Sequence, residues 1–328
     1  SSEGSSEGSM RERRVNEDNN RHELSWERAI PIRNMGIGEV ADIMGAFDPS
    51  LAVMDCVPLR IGCKNSNYRI DTDKGRFLLR IAGREGLNNE SAVYDLVRDR
   101  IRVPPLLFHA EKEDARCFVY RFIDGVSLQK RMMDDNACVG SLLTQVAQAA
   151  ATIHNTPGMD VERLAKYDVP PYAVWYEAFL GHPAVQAKMG GSMLERTQRL
   201  VADKAGCMDG IDRRQSLIHN DFRPANMLVD PDDQVWFVDW EGAWWGHTLA
   251  DIGQFFRYRT FFQPEHARLF ACTYNEVAEY PLPEDWLDLS LFRDLVNLLQ
   301  LLSIDQIAPR RDNDLLRLVE GTLRHWGY

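Results

Sequence analysis

Two different spacings of apolar residues run along this chain, and the changeover between them divides it. Ile37, Val40, Ile43, Met44 and Phe47 fall three and four apart, which predicts a short helix with one apolar face. From residue 52 to residue 122 short apolar runs take over. Residues 52–59, 67–71, 77–81, 106–110 and 117–122 read as strands, with Asp73-Lys74-Gly75 and the charged residues 111–116 as turns between neighbours. One helix interrupts them. Asn88 and Asn89 can cap it, Ala92, Val93, Leu96, Val97 and Ile101 mark its face, and Arg102-Val103-Pro104-Pro105 ends it. Beyond residue 122 helical spacing dominates. Residues 140–154 are amphipathic and stop at Asn155-Thr156-Pro157-Gly158. Residues 161–207 hold helical segments rich in aromatics (Tyr172, Trp175, Tyr176, Phe179), which serve either core packing or a ligand pocket. Residues 264–328 are helical, with 289–304 apolar enough to be core. The exception in this half is a pair of strand-like runs, 227–229 and 235–238, around the turn Pro231-Asp232-Asp233. A helical pattern near Ser25 is broken at Pro31. The class expected is α+β, with the sheet early and the helices late.

Composition narrows the function. At 328 residues with 45% hydrophobic, the chain can bury a substantial core and is neither fibrous nor disordered. Lys and Arg total 38 against 49 for Asp and Glu, a net charge of -11. That balance argues against nucleic acid or an anionic membrane as partner and is compatible with a cationic ligand. Six scattered cysteines without a Cys-x-x-Cys pair fit a reduced, cytoplasmic setting. No run is long enough to span a membrane, and no signal peptide is expected ahead of the fold. Residues 1–9 repeat Ser-Ser-Glu-Gly and read as a linker. Residues 11–21 are highly charged and are expected to be frayed or weakly helical.

The chemistry concentrates in Leu217-Ile218-His219-Asn220-Asp221-Phe222-Arg223-Pro224-Ala225-Asn226-Met227-Leu228-Val229, followed by Val238-Asp239-Trp240. An Asp and an Asn at the two ends of a short loop can face one small volume. An Asp at the end of the next hairpin strand returns to it. Three oxygen-bearing side chains so arranged suit Mg2+, a hard ion that takes few protein ligands and leaves the rest to phosphate and water. The grammar is that of phosphoryl transfer: Asp221 to take the proton of an attacking hydroxyl, Asn226 and Asp239 to bind metal. Taken singly, His219 could be a core histidine and the others caps or turn residues; the pattern rests on their joint spacing.

These residues resemble the signature of the aminoglycoside phosphotransferase and choline kinase superfamily, small-molecule kinases with a protein-kinase-like fold. The resemblance covers residues 56–252 in order and spacing. It implies a two-lobed α+β architecture. The N-terminal lobe, residues 10–122, would carry an antiparallel sheet and one main helix and bind nucleotide. The larger, mostly helical C-terminal lobe, residues 123–328, would carry catalysis and the acceptor site. It also implies ATP and Mg2+ as cofactors. Gly62, Asn65 and Tyr68 match the family's first-hairpin pattern, Gly-x-x-Asn-x-x-Tyr, where backbone N–H groups approach phosphate. Arg80 stands where such folds keep a basic residue, with Glu90 on the next helix as its partner; two solvated charges, or Glu85 in place of Glu90, are the alternatives. Arg is a departure from the commoner Lys, though it stays charged and grips phosphate in forked geometry. The hinge falls near Tyr120, Arg121 and Phe122, whose backbone would meet adenine. Asp251 would buttress the catalytic loop beside His219.

Three activities follow from the resemblance. An aminoglycoside-type antibiotic kinase suits the acidic balance, with Glu241, Glu284, Asp285 and Asp288 available to a polycationic acceptor. A choline- or ethanolamine-kinase-like enzyme suits Asn at 220, and Trp240, Trp244 and Trp245 could cage a quaternary ammonium. A nucleotide-binding pseudokinase is suggested by Arg80 and opposed by intact Asp221, Asn226 and Asp239.

Overall fold

A computed structural model describes residues 23, 26–60, 62, 64–86, 88–156, 164, 170–208 and 215–328. The expectations for residues 1–9 and 11–21, for Ser25, and for part of the segment after 156 lie outside these residues.

The elements follow the two spacings. Helix α1 (Ile37–Phe47) precedes strands β1 (Val53–Leu59), β2 (Ser66–Thr72) and β3 (Gly75–Gly83). Then come α2 (Glu90–Val97), β4 (Leu106–Glu111), β5 (Ala115–Arg121), β6 (Val126–Ser127), α3 (Leu128–Asp135) and α4 (Gly140–His154). The rest is α5 (Tyr172–Leu180), α6 (Pro183–Lys204), β7 (Ser216–Ile218), β8 (Met227–Val229), β9 (Val235–Phe237), β10 (Trp244–Gly246), α7 (Thr248–Phe255), α8 (Pro264–Val277), α9 (Trp286–Leu302) and α10 (Pro309–Trp326). The class is α+β, with an antiparallel sheet in the N-terminal part and mostly helices after it.

By contacts the chain divides into two compact units, Ile30–Asp168 with Ile211–Ser290, and Ser1–Ala29 with Val169–Gly210 and Leu291–Tyr328. The larger unit holds the whole sheet together with the candidate catalytic, nucleotide-binding and metal residues, while the aromatics Tyr172, Trp175, Tyr176 and Phe179 belong to the smaller one.

In the larger unit five antiparallel strands take the order β1-β2-β3-β5-β4. Val40, Ile43 and Met44 of α1 pack on Tyr68, Ile70, Leu79 and Val119, one face of the sheet. Register assigns the other face. Arg80 is paired with Phe118 and Leu78 with Tyr120, so Arg80 and Tyr120 share the side opposite Leu79 and Val119. After the sheet, β6 lies against β8 in a small sheet of order β6-β8-β9. Gly125 permits that approach, since a Cβ there would stand 2.5 Å from the carbonyl oxygen of Val229. Strand β10, absent from the sequence expectation, pairs with β7.

The smaller unit is helical. Tyr176 is fully buried, stacks on Phe292 with ring centroids 5.2 Å apart, and donates its hydroxyl to the Phe292 carbonyl at 2.5 Å. The guanidinium of Arg293 lies over Trp175 and Tyr172, 4.9 and 5.5 Å from their centroids. Within this unit those aromatics pack against helix α9. Residues 26–29 form no helix, although a helical pattern was expected from near Ser25 to Pro31. Trp26 donates its indole N–H to Asp314, and Glu27 accepts the backbone N–H groups of Arg310 and Arg311 at the start of α10. Those distant bonds, with Pro31 removing a donor, outcompete the local helix.

Candidate active site

Strand β7 delivers the chain into a loop whose backbone is held from three directions. The carboxylate of Asp251, fully buried on α7, accepts the N–H of His219 at 2.9 Å and of Asn220 at 2.8 Å. It also accepts Nε2 of His154 at 2.9 Å, and the other nitrogen of that ring meets the Tyr274 hydroxyl at 2.6 Å. Three residues further along α7, Gln254 accepts the N–H of Phe222 at 2.8 Å and donates to the Asn220 carbonyl at 3.1 Å. Spacing of i and i+3 puts Asp251 and Gln254 on one helix face, so a single turn clamps residues 219–222. Gln254 was missed from sequence; its three-residue offset from Asp251 was the available signal.

His219 binds the loop to the β8–β9 hairpin. Its Nδ1 accepts the N–H of Asp221 at 3.1 Å, and its Nε2 donates to the Val238 carbonyl at 2.8 Å. An N–H can only donate and a carbonyl only accept, so these partners fix the neutral tautomer. The ring lies 4.4 Å from that of Trp240. Asn226 donates its amide nitrogen to the Asp221 carbonyl at 2.9 Å, which turns its oxygen the other way. The N–H of Val238 in turn donates to the Asn226 carbonyl at 3.1 Å. Asp221, Asn226 and the residue before Asp239 therefore share one hydrogen-bonded frame. Asn220 and Asp239 both have left-handed backbone, φ 66° and 65°, at the two bends of that frame. Asn and Asp enter this region more readily than other non-glycine residues.

The Asp221 carboxylate, half-buried, is gripped by Arg223 at 2.7 and 3.2 Å. Burial pushes its pKa up, but the charge and hydrogen bonds of Arg223, helped by Arg257, outweigh it and hold the group below its usual value. Arg223 was not singled out from the sequence.

Across from the loop, Arg80 lies among three carboxylates. Its Nε is 3.3 Å from Glu90, and its Nη2 is 2.5 Å from Asp239 and 3.6 Å from Glu241. Arg80 and Glu90 are both buried, so neither is a solvated surface charge. The Tyr120 hydroxyl donates to Glu90, so its side chain joins the cluster. Burial raises the pKa of Glu90 in spite of Arg80. Burial and the neighbouring Asp239 push Glu241 up to about 7. The backbone N–H groups of Arg121 and Phe122 are spent on the carbonyls of Pro105 and Arg76. Any adenine contact at these two residues therefore falls to their carbonyls.

The structure brings Asp221, Asn226, His219 and Asp251 together, and Arg80, Glu90, Tyr120, Asp239, Glu241 and Asn65 together. Gly62 lies in the turn after β1 with φ 77°. It does not build an open cage from the tryptophans. Trp240 is buried on His219, with its indole N–H on the Phe237 carbonyl at 3.0 Å. Trp244 and Trp245 are successive residues of β10, and the second is buried. Glu241 faces Asn65 and Arg80, while Glu284 and Asp285 are exposed. Among the described residues no group of three or more His, Cys, Asp or Glu forms a metal cage. The donors that remain, the Asn226 amide oxygen and the Asp239 carboxylate, are few, hard and oxygen-based. Such a set fits Mg2+, which keeps water and phosphate for its other positions. No helix of the described residues is long and apolar enough to cross a membrane.

Comparisons with known proteins bear on the fold and the family. No curated protein matches the sequence. Among solved structures the chain is similar to choline kinase LicA from Streptococcus pneumoniae, at 14% identity, covering 86% of this chain and 97% of that one with a TM-score of 0.64. It is similar to spectinomycin phosphotransferase APH(9)-Ia, solved with ADP and spectinomycin, at 12% identity, 88% and 99% coverage and a TM-score of 0.63. It is also similar to an ethanolamine kinase from Plasmodium vivax, at 12% identity, 84% and 83% coverage and a TM-score of 0.57. At such identities these likenesses establish the fold. The family rests on the sequence, for residues 55–284 match the model of the phosphotransferase enzyme family, APH. The chain belongs to that phosphotransferase family, and its general activity is that of a small-molecule kinase.

Proposed function

We propose that this protein transfers the γ-phosphoryl group of ATP, with Mg2+, to a hydroxyl of a small cationic molecule of the aminoglycoside type. The observation that carries the reading is the frame in which one histidine joins the backbone of Asp221 to that of Val238, next to Asp239. In this reading residues 10–122 serve the nucleotide and residues 123–328 the acceptor.

Asp221 aligns the acceptor hydroxyl and receives its proton as the oxygen bonds to phosphorus and the bond from the γ-phosphorus to the bridging oxygen of ADP breaks. Its pKa is depressed, so it is a weak base and takes the proton late. Such timing suits a loose transition state in which position and charge supply most of the acceleration. Asn226 and Asp239 would hold Mg2+, which when bound neutralises phosphate charge. Arg80, tethered by Glu90, fixes the phosphates, and Gly62 and Asn65 lie in the turn that covers them. His219 and Asp251 hold the loop. The hinge at Tyr120 and Phe122 offers backbone to adenine.

A choline- or ethanolamine-type acceptor is the second reading, favoured by Asn220, whose side chain donates to the Gly242 carbonyl at 3.2 Å and so uses a group that glycine lacks. The test is ADP release from Mg-ATP with the purified chain against a panel of aminoglycosides, choline and ethanolamine. One acceptor class should stimulate release, and Asp221→Ala should abolish transfer while leaving ATP binding intact. Nucleotide binding without turnover on any acceptor would favour a pseudokinase, and activity surviving Asp221→Ala would remove the assignment.

A further inference from the structure

Glu241 is tied to three separate elements of the sheet region. Its carboxylate accepts the side-chain amide of Asn65 at 2.9 Å, in the turn between β1 and β2. The same oxygen lies 3.6 Å from Arg80 on β3. Its main-chain carbonyl accepts the N–H of Asn89, just before α2, at 3.1 Å. Asn89 also donates its side-chain amide to the Ala243 carbonyl at 2.7 Å, so the segment carrying Glu241 is fixed at two points. Asn65 is 9% exposed, so its donation to Glu241 is largely shielded from water.

The last β1–β2 partners are Leu59 and Asn67, and the connection between them contains Gly62 in left-handed backbone. The N–H groups of a glycine turn must be in place before they can meet a phosphate, and ordering them in advance removes that cost from binding. Glu241 follows Asp239 by two residues, so a bond from Asn65 to Glu241 sets the turn relative to the carboxylate at the end of the hairpin.

We infer that Asn65 and Glu241 form a clasp that holds the phosphate-covering turn in register with the Asp239 hairpin. Both are positioning residues for the nucleotide, and Glu241 is not an acceptor ligand. The inference rests on the ATP reading above for its consequence, and on geometry alone for the clasp.

Two measurements on the full chain separate these. Hydrogen exchange of the peptide spanning residues 60–68 reads the clasp without nucleotide. Calorimetric titration with Mg-ATP reads its effect on binding. Asn65→Ala and Glu241→Ala should each speed exchange in that peptide and weaken Mg-ATP binding about tenfold, the scale of one buried hydrogen bond. The double variant should be no weaker than Glu241→Ala alone, because that substitution already removes the bond to Asn65. Glu241→Gln keeps an acceptor oxygen for Asn65 and should recover most of the affinity, and it serves if the alanine variant fails to fold. Additive losses in the double variant, or unchanged exchange in both single variants, would overturn the clasp. Faster exchange in a chain whose wild type binds no Mg-ATP would keep the clasp and remove the nucleotide reading.

Discussion

The guanidinium of Arg80 lies 2.5 Å from the carboxylate of Asp239, although 159 residues separate them in the chain. One fork thus joins the sheet, through β3, to the end of the β8–β9 hairpin, while its Nε faces Glu90 on α2 at 3.3 Å. A planar fork can serve two carboxylates at once, and a lysine ammonium is a single point. Arg80→Lys is therefore expected to keep the fold but weaken Mg-ATP binding. Arg80→Ala strands Glu90, whose side chain is only 1% exposed. Leaving a buried charge unpaired typically costs about 3–5 kcal/mol. Urea unfolding checks this: an Arg80→Ala protein as stable as wild type would show that the pair adds nothing to the fold.

Asp251 accepts three hydrogen bonds, two of them from the backbone of the candidate catalytic loop. Asp251→Asn keeps the volume but replaces one acceptor oxygen with an NH2 that faces donors. The expected result is a fall in kcat of tenfold or more, a loss of about 2–3 kcal/mol of stability from unsatisfied buried donors, and unchanged Mg-ATP affinity. Stopped-flow or steady-state kinetics beside nucleotide titration would separate the effects. Equal losses in affinity and turnover would mean that Asp251 acts on the whole unit and not on the loop.

Arg223 governs the protonation of Asp221. With Arg223 present the carboxyl titrates below its usual value of 3.8, so it is ionised throughout the neutral range. The stability from this pairing is full above that usual value and is lost as pH falls through the lower, folded-state value. Arg223→Ala removes the largest lowering influence and leaves burial, which raises the pKa. The acid limb of kcat/KM should then move toward neutral pH. An acid limb that stays where it is in the variant would show that another group sets it.

How much of this could be read beforehand depends on how far each signal reaches along the chain. Helix α1 and helix α4 occur at the residues their periodicity marks, because the face of a helix is written within a few turns. The β8–β9 hairpin was legible for the same reason, with its turn chemistry between two short apolar runs. Strand β10 was not, since three residues beside a distant β7 leave no periodic trace. Nor was the side-chain bond from Asn89 to the Ala243 carbonyl, which spans 154 positions. The loop-and-hairpin motif announced Asp221, Asn226 and Asp239, while the groups that set their environment, Arg223 and Gln254, lie among residues whose local pattern is ordinary. Glu241 was legible as a carboxylate near the site but not as a partner of Asn65.

The smaller unit offers a prediction independent of any ligand. Glu27 sets its carboxylate on the backbone N–H groups of Arg310 and Arg311, both at 2.9 Å, and accepts Nε of Arg310 at 3.1 Å. Those N–H groups belong to the first turn of α10, where no preceding helical carbonyl is available and the helix dipole favours an anion. Burial opposes ionisation, yet the backbone bonds prevail and bring the pKa from 4.5 to about 2. A depressed carboxyl adds stability that is full above the unfolded value and disappears as pH falls through the folded one. Glu27→Gln should therefore cost about 2 kcal/mol at pH 7, after allowance for partial solvent screening. The gap to wild type should narrow between pH 4.5 and about pH 2, the interval over which the wild-type carboxyl itself becomes neutral. Chemical denaturation across that interval decides it. A gap that stays constant with pH would mean that Glu27 holds the helix start by shape and hydrogen bonding, with no contribution from its charge.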